Sequence, residues 1–391
     1  MTDSRLTGNQ VLEHLADLLD IPRSHYEMAK KRYESLGEWL HRPASRVAQL
    51  SPDVYPQGSF RYGTVIRPLF DGDEYDLDLV SQLAISKERV SQAELKALVG
   101  GEIQAYASAH DMNEPAHEGN RCWRLDYADE VSFHMDILPA VADDDSFKAM
   151  LVGLGIPWEY AQHAIAITDR RHSGFDQVQP DWPRSNARGF AAWFEGRMEV
   201  AAHGRVEHLV RAGLYASVDD VPAFEWKTPL QRSIQILKRH RDVMFTDAPT
   251  LRPISMIITT LSAQAYQGES DLPEAMSNIL DRMPSFVRDS RPRVPNPVNP
   301  AEDFAEKWAK DHRLEKSFWE WHTQARIDLE RMVTAPSAGQ LGRVMQAAYA
   351  VRPDEDLLQS AFGVPDQPAP PIIKTAAAVI TKPPKPWGFS G

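Results

Sequence analysis

Val11, Leu12, Leu15, Leu18 and Leu19 recur at helical spacing, and Ala29, Tyr33, Leu36 and Leu40 repeat the pattern, so the chain opens on two amphipathic helices. The period then changes to two. In EYDLDLVSQL, Tyr75, Leu77 and Leu79 alternate with Asp76 and Asp78; in EVSFHMDILP, Val131, Phe133, Met135 and Ile137 alternate with Ser132, His134 and Asp136. Both segments predict strands with one apolar face. Between them, QAELKALVGGEIQAYASAH reads as a helix interrupted at Gly100-Gly101. Residues up to about 150 therefore mix helix and strand, and the pattern after about 155 is mainly helical.

In that second half, TPLQRSIQILKRHRDVMF has Thr228 to cap a helix, Pro229 at its first position, and Leu230, Ile234 and Leu237 on one face. RPISMIITTLSAQAY and PAEDFAEKWAKDH predict two more helices. Five prolines between 281 and 300 mark a loop, and the proline-rich DQPAPPIIKTAAAVITKPPKPWGFSG predicts an extended tail.

Length and composition narrow the picture. A chain of 391 residues with 42% hydrophobic and 25% charged residues is globular in composition and long enough for two lobes. Its net charge of −12 argues against a long nucleic-acid partner, which lysines and arginines would have to neutralise. One cysteine, Cys122, excludes a disulfide framework and a cysteine-rich zinc module. Thirteen histidines include no HExxH pair. The first residues lack an apolar signal core, and no run of 18 apolar residues occurs, so a soluble, cytoplasmic protein with no membrane partner is expected.

The candidate chemistry lies in GSFRYGTVIRPLFDGDEYDLDLV. Alternation puts Asp76 and Asp78 on one strand face, roughly 6.5–7 Å apart along the strand. Neighbouring carboxylates repel unless cations lie between them, and hard divalent ions such as Mg²⁺ suit an all-carboxylate site. With Asp136 from a second strand, three acids can hold two metals about 3.5–4 Å apart, a clamp for phosphoryl transfer. Upstream, Gly58 lets the backbone approach a ligand, and the Ser59 hydroxyl can bond phosphate oxygens. Asp-x-Asp alone is commonly a pair of solvated strand acids. Its conjunction with the glycine–serine turn and a later strand acid points to nucleotidyl transfer. Asp71, Asp73 and Glu74 read as solvated loop acids, and Asp143, Asp144 and Asp145 as an exposed turn.

At these residues the sequence resembles the cGAS/DncV-like nucleotidyltransferases of bacterial anti-phage (CBASS) systems, within the DNA polymerase β-like superfamily. YPQGSFRYGTVIRP, EYDLDLV and FHMDILPAV look like the family's glycine–serine motif, first acid pair and third-acid strand. SNARGFAAWF, KTPLQRSIQILKRHRD, PISMIITTLSAQAY and NPVNPAEDFAEKW resemble its helical half, with Ala187 where a proline is expected.

The resemblance implies an α+β fold. A nucleotidyltransferase lobe with a mixed sheet (1–165, its first helices packing across both lobes) would meet a helical, oligoadenylate-synthase-like lobe (166–364) at an active-site cleft. A flexible tail (365–391) would follow. Such enzymes use two Mg²⁺ ions, with Mn²⁺ as an alternative, to join ATP, GTP or other NTPs into cyclic di- or trinucleotides that activate an effector. Asp76, Asp78 and Asp136 would be the catalytic metal ligands, and Gln57 and Ser59 nucleotide contacts. Arg61 would neutralise phosphate or serve only as a surface strand residue. Lys238 would meet the triphosphate or lie among solvated charges, and Ser255 would bond phosphate or only cap its helix. Gly391 would be the carboxyl group that an E1/E2-like ligase joins to a target. Competing functions are linear nucleotide addition, as in tailing or oligoadenylate enzymes, and an inactive nucleotide-binding scaffold.

Overall fold

Two helices open the computed structural model, which describes residues 4–70, 72–128, 132–199 and 227–354, together with 357, 358 and 362. Asp71, Val131 and the tail with Gly391 lie outside the described residues. Helix α1 (Ser4–Leu19) buries Leu12, Leu15 and Leu19 in the core of the helical lobe. Pro22 separates it from α2 (Arg23–His41), whose Ala29, Leu36 and Leu40 pack instead beneath the sheet. The two predicted stripes thus serve two different cores.

The sheet is mixed. β1 (Asp53–Gln57) leads into the one-turn α3 (Gly58–Arg61), and β2 (Tyr75–Leu83) returns antiparallel beside β1. After α4 (Gln92–Ala109) come β3 (His117–Glu118), β4 (Trp123–Ala128) and β5 (Ser132–Ala142). β5 lies parallel to β2 and antiparallel to β4, giving the order β1-β2-β5-β4-β3. The apolar members of the predicted alternation, Tyr75, Leu77, Leu79, Phe133, Met135 and Ile137, all enter the core formed with α2 and α4. That leaves the polar members on the opposite face.

α4 runs unbroken through Gly100-Gly101, contrary to the expected interruption. A Cβ on Gly100 would lie 2.2 Å from the Trp123 ring, so this glycine admits close packing of β4 on the helix. α5 (Asp145–Gly153) and α6 (Trp158–Ala161) follow the sheet's central strands. β6 (Ile165–Ile167) then pairs with the end of β5, and β7 (Arg184–Ser185) with β6, so the sheet extends past residue 165.

The helical lobe comprises α7 (Ala187–Glu199), α8 (Pro229–Met244), α9 (Ser255–Ala265), α10 (Leu272–Arg282), α11 (His312–Val333) and α12 (Ala338–Tyr349) among the described residues. α8 starts as its sequence predicts, with Thr228 and Gln231 forming a capping box that spans Pro229. The helix expected over 300–312 is not there. Instead β8 (Pro295–Asn296) and β9 (Asn299–Asp303) form a small hairpin inside the proline-rich stretch, followed by a single 3₁₀ turn at Glu306–Ala309. The Asp303 carboxylate accepts N–H bonds from Arg293, Val294 and Ala305 at 2.9–3.0 Å, tying this segment into a turn. No helix among the described residues is long and apolar enough to cross a membrane.

Candidate active site

Strand register assembles the acids. Asp78 on β2 is the direct partner of Asp136 on β5, and Asp76 lies two residues before Asp78 on the same polar face. The three carboxylates each offer an oxygen, and these oxygens all lie within 4.8 Å of one another.

The glycine–serine turn sits over the same point. Gln57, the last residue of β1, pairs with Asp78, so the chain turns at Gly58 directly above that carboxylate. Gly58 has φ +67°, and a Cβ there would fall 2.2 Å from Asp78 Oδ2. Both the backbone conformation and the close approach therefore demand glycine.

Crowding alters the acids. Burial, reinforced by Asp76 and Asp136, pushes the Asp78 carboxyl up to about 8, against the opposing influence of His134 and Lys238. His134 bridges two acids: Nε2 is 3.0 Å from Asp76 Oδ1, and Nδ1 is 3.1 Å from Glu74 Oε2. Its hydrogen bond to Asp76 is the main reason its pKa is raised. Across the next strand pair, Arg124 Nε donates to Asp136 Oδ1 at 3.2 Å.

These contacts leave an uncompensated carboxylate at Asp78. An all-oxygen donor set that resists ionisation without a cation fits a hard divalent metal, and Asp76, Asp78 and Asp136 are the residues that would hold it.

A cavity of about 780 Å³ opens between the lobes, lined by Gly58, Ser59, Asp76, Asp78, Lys238 and Ser255 among others. From α8, Lys238, Arg241 and Asp242 line it, and further residues of the helix hold the segment beside it. Gln231 Nε2 donates to the Tyr62 carbonyl at 2.9 Å, Lys238 Nζ to Thr64 at 2.8 Å, Gln235 Nε2 to Val65 at 2.7 Å and Arg239 Nη2 to Arg67 at 2.7 Å. These residues project from one side of the helix and tie the segment after the glycine–serine turn to the helical lobe. Burial, with Arg241 nearby, lowers the Lys238 ammonium to about 8.

The remaining sequence candidates fall into different places. Ser255 is the first residue of α9; Ile254 holds the cap position, and the Ser255 hydroxyl accepts from Arg241 Nη1 at 2.8 Å. Ser59 lines the cavity, whereas Gln57 is held in the β1–β2 ladder and is absent from the lining. Arg61 is buried, ion-paired to Glu195 on α7 at 2.6 Å, and also outside the lining. Phe194 lies in the core of the helical lobe, and Trp193 packs against that core. Asp143 and Asp144 correct the expectation of an exposed turn. Asp143 is buried between Lys87 (2.6 Å) and Arg184 (3.2 Å), Asp144 caps α5 through the Phe147 N–H, and Asp145 alone is exposed.

His134 and Arg124 are the site residues that the strand patterns do not single out. The signal for His134 was its place on the Asp136 face. Arg124 could have been found only by knowing the β4–β5 register.

A mixed sheet that presents three acids beside a glycine–serine turn, with a helical lobe across the cleft, is a polymerase β-like nucleotidyltransferase architecture. Residues 52–139 match the family described as cyclic GMP-AMP synthase DncV-like, nucleotidyltransferase domain. A c-di-GMP synthase of Roseivirga ehrenbergii is 27% identical over 312 residues, covering 78% of this chain and 74% of its own. The cyclic dinucleotide synthase CdnG of Bradyrhizobium diazoefficiens is 24% identical over 326 residues, covering 79% and 72%. The structure of that species' CdnG with GTP superposes with a TM-score of 0.63 at 20% identity, covering 90% of this chain and 98% of that one. Vibrio cholerae DncV, a cyclic AMP-GMP synthase, superposes at 0.53 with 17% identity, covering 90% and 89%. Together these likenesses indicate a cGAS/DncV-like nucleotidyltransferase.

Proposed function

We propose that the chain is a cyclic oligonucleotide synthase that joins two nucleoside triphosphates, at least one of them GTP, into a cyclic dinucleotide. The observation that carries this reading is the pairing of Asp78 with Asp136 across parallel strands, with Asp76 on the same face and the glycine–serine turn above. The curated relatives are a c-di-GMP synthase and a cyclic dinucleotide synthase, which favours a two-nucleotide ring with guanine.

In each half-reaction a ribose hydroxyl attacks the α-phosphorus of a donor NTP. One P–O bond forms, the bond to the β-phosphate oxygen breaks, and pyrophosphate leaves. Asp136 takes the hydroxyl proton; Arg124 engages its Oδ1 and leaves Oδ2 for that task. Ser59 and Ser255 offer hydroxyls to the phosphates. Lys238 adds two N–H donors beyond the one given to Thr64. The buried α8 contacts hold the phosphate-binding turn at a fixed distance from Lys238, so the donor is oriented before the acceptor arrives. Two Mg²⁺ ions, when bound, would supply charge neutralisation of the three acids and polarisation of the α-phosphate.

As a cytoplasmic synthase of a bacterial anti-phage system, the enzyme would act through an effector that reads the cyclic product. An E1/E2-like ligase is the second partner this reading calls for.

Incubation with labelled ATP, GTP, CTP and UTP plus Mg²⁺, then phosphatase and mass spectrometry, tests the function. A phosphatase-resistant cyclic dinucleotide containing guanine is expected. A labelled linear product would instead identify a tailing enzyme, and no product would favour a scaffold.

A further inference from the structure

Besides Lys238, the cavity wall carries three guanidinium groups, and they differ in how far their donors are already engaged. Arg241 is buried. Its Nε and Nη2 donate to Asp242 Oδ1 at 2.9 and 2.6 Å, and its Nη1 donates to the Pro253 carbonyl at 3.2 Å and to Ser255 Oγ at 2.8 Å. Arg67, on the catalytic lobe, donates Nε to the Asp20 carbonyl at 2.5 Å. The Arg252 side chain makes one hydrogen bond among the described residues, Nη1 to Asp242 Oδ1 at 3.2 Å, and is 45% exposed. Most of its planar fork of five N–H donors is therefore available to a ligand.

The position suits one part of the substrate. The transferred α-phosphate must lie at the three acids, and Lys238 lines the same cavity as Asp76 and Asp78. Asp242 is one helical turn farther along α8, about 6 Å along the axis. A triphosphate extended past Lys238 brings its terminal group to the point where Asp242 anchors Arg252.

We propose that Arg252 binds the terminal phosphate of the donor NTP, and that Asp242 holds the guanidinium ready for it. An exposed arginine–carboxylate contact at 3.2 Å is weak, whereas a phosphate accepts two parallel N–H bonds from the guanidinium fork. Arg241 keeps Asp242 in place while Arg252 changes partner. The inference rests on the nucleotidyl-transfer reading and adds a residue that selects triphosphates over diphosphates.

The test is equilibrium binding of the full-length chain to a non-hydrolysable GTP analogue and to GDP, each with Mg²⁺. Arg252→Ala should weaken the triphosphate analogue roughly tenfold or more, as expected for a charged hydrogen bond, and leave GDP within twofold. Arg252→Lys should recover part of the loss. Because Arg252 is exposed, its removal does not threaten folding. Unchanged binding of the analogue by Arg252→Ala, or equal losses for the analogue and GDP, would overturn the assignment while the nucleotidyl-transfer reading stood. Wild-type protein that binds neither analogue nor GDP would overturn both.

Discussion

Replacing Gly58 with alanine perturbs the site at its tightest point. Two costs can be separated. At φ +67° an alanine carries the left-handed penalty of about 1–2 kcal/mol. Its Cβ would also meet Asp78 Oδ2 at 2.2 Å, where ordinary contact begins at 3.4 Å, so the carboxylate must retreat by about 1.2 Å. A displacement of that size at a reacting centre is worth about 10²-fold in rate. Gly155 supplies the control. Its φ is +87° but nothing lies within 4 Å of an added Cβ, and it is not among the residues lining the cleft. Both variants should lose about 1–2 kcal/mol in urea unfolding, with Gly58→Ala losing somewhat more. Only Gly58→Ala should lose activity, by about 10²-fold in kcat at saturating NTP and metal. If Gly58→Ala kept more than a third of wild-type turnover, or both variants lost activity alike, the claimed approach of the turn to Asp78 would be wrong.

Three further outcomes follow from the same geometry. Asp136→Asn should lower kcat about 10²–10⁴-fold while leaving the metal-free protein equally or more resistant to thermal unfolding, because a like charge beside Asp78 is removed; a clear drop in Tm would contradict this. The raised Asp78 carboxyl, ordinarily near 3.8 and here about 8, binds a proton in the folded protein that the unfolded chain has lost. Its contribution to metal-free stability is therefore full at low pH and fades as pH rises through about 8. Metal binding at pH 7 should accordingly release close to one proton, measured by calorimetry in buffers of different ionisation enthalpy, and proton release that did not decline above pH 8 would count against the shift. Gln235→Leu strips the Val65 carbonyl of a buried donor and should reduce stability by about 1–3 kcal/mol in urea unfolding; a loss under 0.5 kcal/mol, as is usual for an uninvolved surface site, would mean the contact is not holding the lobes.

The strands that carry the acids were legible because alternation is a local property. Tyr75 to Leu79 and Phe133 to Ile137 declare which side faces the core, and the polar face follows. Register is not local. That Asp78 stands opposite Asp136, or Arg124 beside it, depends on strand order, which single-strand patterns do not encode. Arg61 and Asp143 illustrate the same limit: each looks like a surface charge until a partner from a distant segment, Glu195 for one and Lys87 with Arg184 for the other, buries it. The helix expected over 300–312 failed because Asp303 collects three backbone N–H groups, and those bonds outweigh a modest helical propensity. The Lys238 helix was readable from its cap and stripe, but Gln231 and Gln235 gave no sign that they bond the Tyr62 and Val65 carbonyls.

Catalysis here requires divalent cations gathered by the side chains of Asp76, Asp78 and Asp136, and anomalous diffraction from crystals grown with Mn²⁺ and a non-hydrolysable GTP analogue tests this most directly. Manganese peaks should appear among those three carboxylates and the analogue's phosphates, and should vanish in Asp76→Asn/Asp78→Asn. Peaks elsewhere in the cleft with none at the three acids, or undiminished peaks in the double variant, would contradict it.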